Sequence, residues 1–159
     1  MNNHKLFFVE DNPDDEALTL RAIASTGVPC EVTVSRHGGE AVEILFACIG
    51  PVPDLIILDF HLPGCNGLEI VRKVRSWRHT RDVPIVMLSA LESDREILFC
   101  LRAGANSCVT KPTNAKDFSE FVSLMVRYWL TVDRHPGQMA PMSVYAARSR
   151  VRGTASSAV

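Results

Sequence analysis

The sequence predicts an α/β protein: a doubly wound, five-stranded parallel sheet with five helices on its two faces. Short apolar runs alternate five times with longer segments of helical periodicity, which is the pattern of such a sheet. The middle runs are apolar at successive positions, as expected of strands buried on both faces. The 159 residues, of which 47% are hydrophobic and 22% charged, suit one globular domain.

Five runs that are rich in apolar or β-branched residues are predicted to be the strands. Each run is short and is bounded by polar or turn-forming residues, which favours a strand over a buried helix. The predicted strands cover about residues 5–9, 31–35, 55–58, 84–88 and 107–110.

Capping residues predict where the helices begin. Asn12 followed by Pro13 supplies a cap and a first-turn proline for the first helix. Ser93 and Glu96 have the spacing of a capping box at the start of the fourth helix. The fifth helix has an apolar stripe that is expected to face the sheet, formed by Phe118, Phe121, Val122, Met125 and Trp129. The predicted helices cover about residues 12–27, 39–49, 67–77 and 93–104, and one that starts at 113 or 114.

Residues 1–134 are predicted to form the folded domain, and residues 135–159 a flexible basic tail. The tail has no regular apolar period, and it contains three arginines without an acidic residue. A segment of this length is too short to bury a core of its own.

Charge and cysteine usage exclude several classes of protein. The 17 basic and 18 acidic residues nearly cancel, so no bulk attraction to nucleic acid or to an anionic membrane is expected. The apolar run at residues 6–9 is too short for a membrane span or a signal peptide. Five cysteines without a Cys-x-x-Cys pair indicate reduced thiols, and hence a cytoplasmic protein.

Polar residues follow the predicted strands at the edge where an open parallel sheet binds its ligand. The first strand is followed by Glu10 and Asp11, the third by Asp59, the fourth by Ser89 and the fifth by Lys111. Three carboxylates that meet at one edge repel one another unless they share a cation, and oxygen ligands favour Mg²⁺. We therefore expect a magnesium site there.

The same residues could carry phosphoryl chemistry. Asp59 would be placed to attack a phosphorus atom, and the phosphoryl oxygens would find partners in Mg²⁺, the Ser89 hydroxyl and the Lys111 ammonium. Each residue taken alone has a purely structural explanation. For Asp14 and Asp15 that explanation, helix-cap acids in the first turn, is the one we expect.

The sequence resembles the receiver domains of two-component response regulators over about residues 5–132. The resemblance is carried by the motifs FFVEDNPDD, PDLIILDFHLPGCNGLEIVRKVR, VPIVMLSA and RAGANSCVTKP, and by the spacing of Asp11, Asp59, Ser89 and Lys111. It implies the flavodoxin-like receiver fold and a signalling switch rather than a metabolic enzyme.

Residue by residue, the resemblance implies that Asp59 accepts a phosphoryl group from a sensor histidine kinase. Glu10 and Asp11 would bind Mg²⁺ together with Asp59, and the backbone carbonyl of His61 would be a further metal ligand. Such receivers catalyse only their own phosphorylation and dephosphorylation.

The resemblance also implies that Ser89 is the switch hydroxyl and that Lys111 is its cationic partner, with a cis peptide bond to Pro112. One position departs from the family pattern. An aromatic residue usually stands three positions before the lysine, whereas here the residue is Cys108. A thiol cannot provide the steric signal of a rotating ring, so Cys108 is expected to be a small, buried core residue.

A narrower resemblance is to the stand-alone regulators that are paired with phytochrome-type histidine kinases. The motifs VEDNPDDEALTLRAI, PDLIILDFHLPG and FVSLMVRYWLTV carry it, and Tyr128 and Trp129 are its main feature. With only the tail beyond the receiver, output is expected through a partner or through a homodimer formed by the fourth helix, fifth strand and fifth helix. Trp129 could instead pack inward and leave only Tyr128 outside.

Three other functions are possible on this architecture. A flavin- or nucleotide-binding protein needs a loop of small residues after the first strand, but here the loop is acidic and would repel phosphate. An aspartyl-nucleophile phosphohydrolase usually has a second Asp two positions after the first, where this chain has His61. A binding module that is never phosphorylated would have no use for the complete set of acidic residues and lysine.

Overall fold

The structure is a computed structural model that describes residues 3–47, 50–90 and 93–134. Within these ranges, five strands alternate with five helices. The strands are β1 (His4–Val9), β2 (Cys30–Ser35), β3 (Leu55–Asp59), β4 (Ile85–Ser89) and β5 (Ser107–Thr110). The helices are α1 (Pro13–Ser25), α2 (Gly38–Phe46), α3 (Gly67–Ser76), α4 (Asp94–Ala103) and α5 (Ala115–Arg127), and a π-helical turn (Tyr128–Val132) continues α5.

All five strands are parallel and lie in the order β2-β1-β3-β4-β5. The chain moves outward in one direction from β1 to β2, and in the other from β3 to β5, so that the switch point lies between β1 and β3. The predicted fold class, a doubly wound parallel sheet, is therefore confirmed.

The helices divide between the two faces of the sheet. One core lies beneath α2, α3 and α4, and the other lies beneath α1 and α5. The strands β3 and β4 are buried along their whole length, as the unbroken apolar runs predicted. Phe118, Val122 and Met125 of α5 are buried, and Phe121 and Trp129 pack partly buried against the same core, so the predicted stripe faces the sheet.

Two predicted caps are confirmed. The side chain of Asn12 accepts hydrogen bonds from the backbone N–H groups of Asp14 and Asp15, at 2.9 and 3.3 Å. The side chain of Asn114 accepts one from the N–H of Asp117, at 2.8 Å. At the far end of α4, Gly104 adopts a φ of 113°, the left-handed conformation in which a glycine commonly ends a helix.

The capping box predicted for α4 is wrong. Ser93 precedes the helix, but its side chain makes no capping hydrogen bond. The Glu96 side chain instead lies close enough to two thiols, those of Cys100 and Cys108, to contribute to raising their pKa values. Packing of Glu96 against the interior has therefore replaced the local contact that the spacing suggested.

Two predicted helix ends also differ. The first helix ends at Ser25 rather than near Gly27, because the Thr26 hydroxyl donates to the Ile23 carbonyl and closes the last turn. The second helix ends at Phe46, and residues 48 and 49, which the prediction included, lie outside the described residues. The tail predicted for residues 135–159 lies outside them as well. No helix in the described part of the chain is long and apolar enough to cross a membrane.

Four of the five cysteines lie within the described ranges, and all four are free thiols. Cys100 is buried, and burial is the main cause that raises its pKa to about 12. Cys108 is only half-buried, contrary to the prediction, because β5 is an edge strand of the sheet.

Candidate functional site

The candidate site is a crevice at the carboxyl ends of the strands, at the switch point between β1 and β3. Glu10 directly follows β1, and Asp59 is the last residue of β3. These two strands are neighbours, with Val9 paired to Leu58. Adjacent strand ends therefore bring the two carboxylates together, as predicted.

Glu10, Asp11 and Asp59 form a cluster in which one carboxylate oxygen from each residue lies within 4.8 Å of the other two. Glu10 and Asp59 are buried, whereas Asp11 is exposed at the mouth of the crevice. A hard divalent cation such as Mg²⁺ takes oxygen ligands in this number and is reached from solvent on one side. The donor set therefore fits the magnesium ion that the sequence predicts.

Lys111 is the cation of this crevice. Its Nζ lies 2.6 Å from Glu10 Oε2, 3.0 Å from Asp15 Oδ2 and 3.5 Å from Asp59 Oδ1. The Lys111 side chain is only 12% exposed, so these ion pairs are poorly screened by water. One ammonium group thus forms ion pairs with three carboxylates.

The electrostatics show that the carboxylates are not fully compensated. Burial raises the pKa of Glu10, although the hydrogen bond from Lys111 opposes the shift. Burial also raises the pKa of Asp59, against the opposing effects of Lys111 and of the His61 backbone. Burial lowers the pKa of Lys111, but its carboxylate neighbours outweigh burial and the net pKa is raised. The buried negative charge in the crevice therefore still carries an electrostatic cost, which a bound cation would lower.

Ser89 ends β4 on the side of the crevice next to Lys111. It is buried, and it follows Leu88, the residue that pairs with Asp59. The backbone N–H of Lys111 donates to the Ser89 carbonyl at 2.7 Å, which fixes β5 against β4 at this point. The predicted residues Glu10, Asp11, Asp59, Ser89 and Lys111 thus all lie at the carboxyl edge of the sheet.

The loop after β3 shapes the floor of the crevice. The backbone of His61 is hydrogen-bonded to the Asp59 carboxylate, and the His61 ring is exposed and meets the Phe60 ring edge-on at 4.9 Å. Gly67 opens α3 where a Cβ atom would come within 2.7 Å of the Asp59 carbonyl oxygen, so only glycine fits. The metal-binding role of the His61 carbonyl stays a prediction.

One implied feature is wrong. The described residues contain no cis peptide bond, so the bond between Lys111 and Pro112 is trans. The trans form is the one that peptide bonds to proline ordinarily favour.

The sequence interpretation missed the role of Asp15. It treated Asp15 as a helix-cap acid like Asp14, but the Asp15 carboxylate forms an ion pair with Lys111. No local sequence signal marks this contact, because Asp15 and Lys111 lie 96 positions apart in the chain.

A doubly wound parallel sheet whose switch-point crevice contains three clustered carboxylates and a largely buried lysine is typical of an α/β domain that could hold a divalent cation. The comparison with known families identifies which one. The chain belongs to the response regulator receiver domain family, whose model matches residues 6–123.

Solved structures and sequence relatives agree with this family. The chain is similar to the phosphorylated cyanobacterial phytochrome response regulator RcpA, with 31% identity and a TM-score of 0.80, over 85% of this chain and 99% of that one. It is also similar to the bacteriophytochrome response regulator AtBRR, with 30% identity and a TM-score of 0.64, over 79% and 92% of the two chains. The chemotaxis protein CheY1 of Helicobacter pylori is 29% identical over 77% of this chain and 96% of its own length.

Proposed function

We propose that this receiver accepts a phosphoryl group on Asp59 from a histidine kinase in a Mg²⁺-dependent reaction, and that it signals in the cytoplasm by changing its association with other proteins. The observation that carries the proposal is the crevice itself. An oxygen of the buried Asp59 lies within 4.8 Å of an oxygen of Glu10 and of Asp11, and Asp59 Oδ1 lies 3.5 Å from the largely buried Lys111 ammonium. The chemistry of the protein is confined to its own phosphorylation and dephosphorylation.

In the proposed reaction, an oxygen of Asp59 bonds to phosphorus as the phosphorus–nitrogen bond of phosphohistidine breaks. The histidine nitrogen keeps the bonding electron pair and takes a proton. Glu10, Asp11 and Asp59 would hold Mg²⁺, with the His61 carbonyl as a further ligand. The metal supplies positive charge against the phosphoryl oxygens. Lys111 and the Ser89 hydroxyl would bind the remaining phosphoryl oxygens, and movement of Ser89 would report the modification.

A phytochrome-type kinase is the proposed upstream partner. Support comes from the similarity to RcpA, a phytochrome response regulator, at 31% identity across 85% of this chain. The bacteriophytochrome response regulator AtBRR adds support at 30% identity. Direct binding to nucleic acid or to a membrane is not part of this proposal.

The proposed output is a homodimer formed through α4, β5 and α5. Exposed apolar side chains gather on these elements: Leu98, Phe99 and Leu101 on α4, Leu124 on α5, and Tyr128 just after it. Tyr128 is 48% exposed, and its ring meets the Trp129 ring edge-on, with 5.3 Å between the ring centroids. Trp129 itself packs on the core. Apolar and aromatic side chains of this kind suit an interface core.

Phosphorylation can be tested with acetyl phosphate as donor and intact-mass measurement. We expect the wild-type protein to gain one phosphoryl group only when Mg²⁺ is present. Asp59→Asn should abolish the gain. Asp54→Asn should retain it, because that carboxylate lies just before β3, where it accepts a hydrogen bond from the Lys5 backbone N–H at 2.8 Å. A phosphoryl group on the Asp59→Asn protein under the same conditions would contradict the assignment.

The homodimer can be tested by light scattering across micromolar concentrations, with and without beryllofluoride. A monomer mass throughout would refute it. Tyr128→Ala should weaken association with little change in melting temperature, because the ring is exposed. Trp129→Ala should mainly lower the melting temperature, because that side chain packs on the core.

A further inference from the structure

Lys111 has three carboxylate neighbours, and one of them lies outside the acidic cluster. Glu10 and Asp59 belong to the cluster that could hold a metal ion, whereas Asp15 does not. We propose that Asp15 is a positioning residue, which holds the Lys111 ammonium beside Asp59 independently of the metal ligands. The use of that positioning in phosphoryl transfer rests on the proposed function.

The geometry supports a separate role for each neighbour. A lysine ammonium has three N–H donors and no acceptor, so it can hold three carboxylates at once. Its Nζ lies 2.6 Å from Glu10 and 3.0 Å from Asp15, both within hydrogen-bond distance, and 3.5 Å from Asp59. The Lys111 ammonium therefore lies between the acidic cluster and Asp15.

Asp15 is the neighbour whose contact does not compete with a metal. When oxygens of Glu10 and Asp59 are shared with a divalent cation, their attraction for the ammonium falls. The charge of Asp15 is then the part of the attraction that remains. Without it, the flexible four-carbon stem of Lys111 would let the ammonium leave the crevice.

The position of Asp15 is well defined by its helix. Its backbone N–H donates to the capping side chain of Asn12 at 3.3 Å, in the first turn of α1. The contact joins residues 96 positions apart in sequence and thus ties the start of α1 to the loop after β5.

The competing explanation is that Asp15 serves only the helix N-terminus, where any acidic side chain is favourable. Asp14 provides a matched control for this effect. It lies in the same first turn, it is exposed, and it forms no ion pair in the described part of the chain. Asp14→Asn removes the same charge from the helix end without touching Lys111.

The direct test is acetylation of the protein at saturating Mg²⁺ with an N-hydroxysuccinimide ester, read by peptide mass spectrometry. Lys116, whose side chain is 83% exposed, serves as the internal reference. Asp15→Asn should raise the labelling rate of Lys111 relative to Lys116 about fivefold, the size expected of a partly exposed ion pair. Asp14→Asn should leave the ratio unchanged, and Asp15→Glu should keep Lys111 largely protected.

A second measurement connects the contact to chemistry. At saturating Mg²⁺, Asp15→Asn should slow phosphorylation by acetyl phosphate about fivefold, whereas it should have no further effect in a Lys111→Met background. Equal labelling ratios for Asp15→Asn and Asp14→Asn would overturn the positioning role, whether or not the protein is phosphorylated. An equal slowing in the Lys111→Met background would overturn the role of Lys111 as intermediary. If labelling changes as expected but the wild-type protein gains no phosphoryl group, the positioning role stands and the proposed function fails.

Discussion

Lys111 and Arg75 lie at opposite ends of the sheet, and their charged groups have different kinds of partner. At the carboxyl end, Lys111 is shared among carboxylates that outnumber it. At the amino end, Arg75 of α3 donates from Nε to the Gly104 carbonyl at 2.8 Å and from Nη1 to the Val83 carbonyl at 2.7 Å. Its Nη2 donates to the Asn106 side chain at 2.7 Å.

The two sites differ in whether the charged groups find all their partners within the protein. Around Arg75 the acceptors are neutral oxygens, mostly backbone carbonyls with the Asn106 side chain, so the site is complete without a ligand. The crevice around Lys111 holds more negative than positive charge, and the pKa values of Glu10 and Asp59 are raised by burial. A surplus of buried charge costs stability unless a ligand relieves it. We therefore expect variants at the two ends to separate stability from cation binding.

The largest expected effect on stability is at the amino end. Arg75→Met should lower the free energy of unfolding by about 3 kcal/mol, because several acceptors, two of them in part-buried hydrogen bonds, lose their donor together. Its effect on Mg²⁺ affinity should be negligible. Arg72→Met, on an exposed position of the same helix, is the matched control and should leave the free energy of unfolding nearly unchanged. Urea denaturation measures both variants, and a loss of Mg²⁺ binding in Arg75→Met would break the comparison.

In the crevice, a substitution that removes a charge is expected to stabilise the protein rather than destabilise it. Without metal, Asp59→Asn should raise the free energy of unfolding by about 1 kcal/mol, since it removes a buried carboxylate charge from the cluster. Asp54→Asn, outside the cluster, should not stabilise the protein. Urea denaturation in EDTA decides the matter, and a destabilised Asp59→Asn protein would show that the negative charge is already compensated.

A smaller effect should appear in the pH dependence of stability. The pKa values of Glu10 and Asp59 are raised above their ordinary values of 4.5 and 3.8. At a pH between the ordinary and the raised values, the folded protein therefore binds more protons than the unfolded chain does. Their contribution to stability is therefore present at low pH and is lost as the pH rises through the raised values. Mg²⁺ relieves this loss, so it should raise the melting temperature more at about pH 7 than at about pH 5. A Mg²⁺ effect that is independent of pH would contradict the assignment of these two ligands.

Much of the fold could be predicted because its signals are local. The five strands were predicted to within one residue at each end, since buried apolar runs and flanking turns are visible in the sequence. The clustering of Glu10, Asp11 and Asp59 was predictable as well, because the carboxyl ends of parallel strands meet at one edge of the sheet.

What the sequence did not reveal depends on contacts between distant segments. The pairing of Asp15 with Lys111 joins a helix start to a loop on the far side of the switch point. The acceptors of Arg75 are mostly backbone carbonyls, which carry no residue-specific signal. Glu96 shows the reverse case, in which a clear local spacing was overridden by packing of its side chain near Cys100.

The most direct test of the charge surplus in the crevice is a calorimetric titration of Mg²⁺ into the protein. We expect one site in the wild-type protein, at least tenfold weaker binding in Asp11→Ala because a hard oxygen ligand is lost, and unchanged binding in Arg75→Met. Wild-type affinity in Asp11→Ala, or no binding in the wild-type protein, would contradict the account.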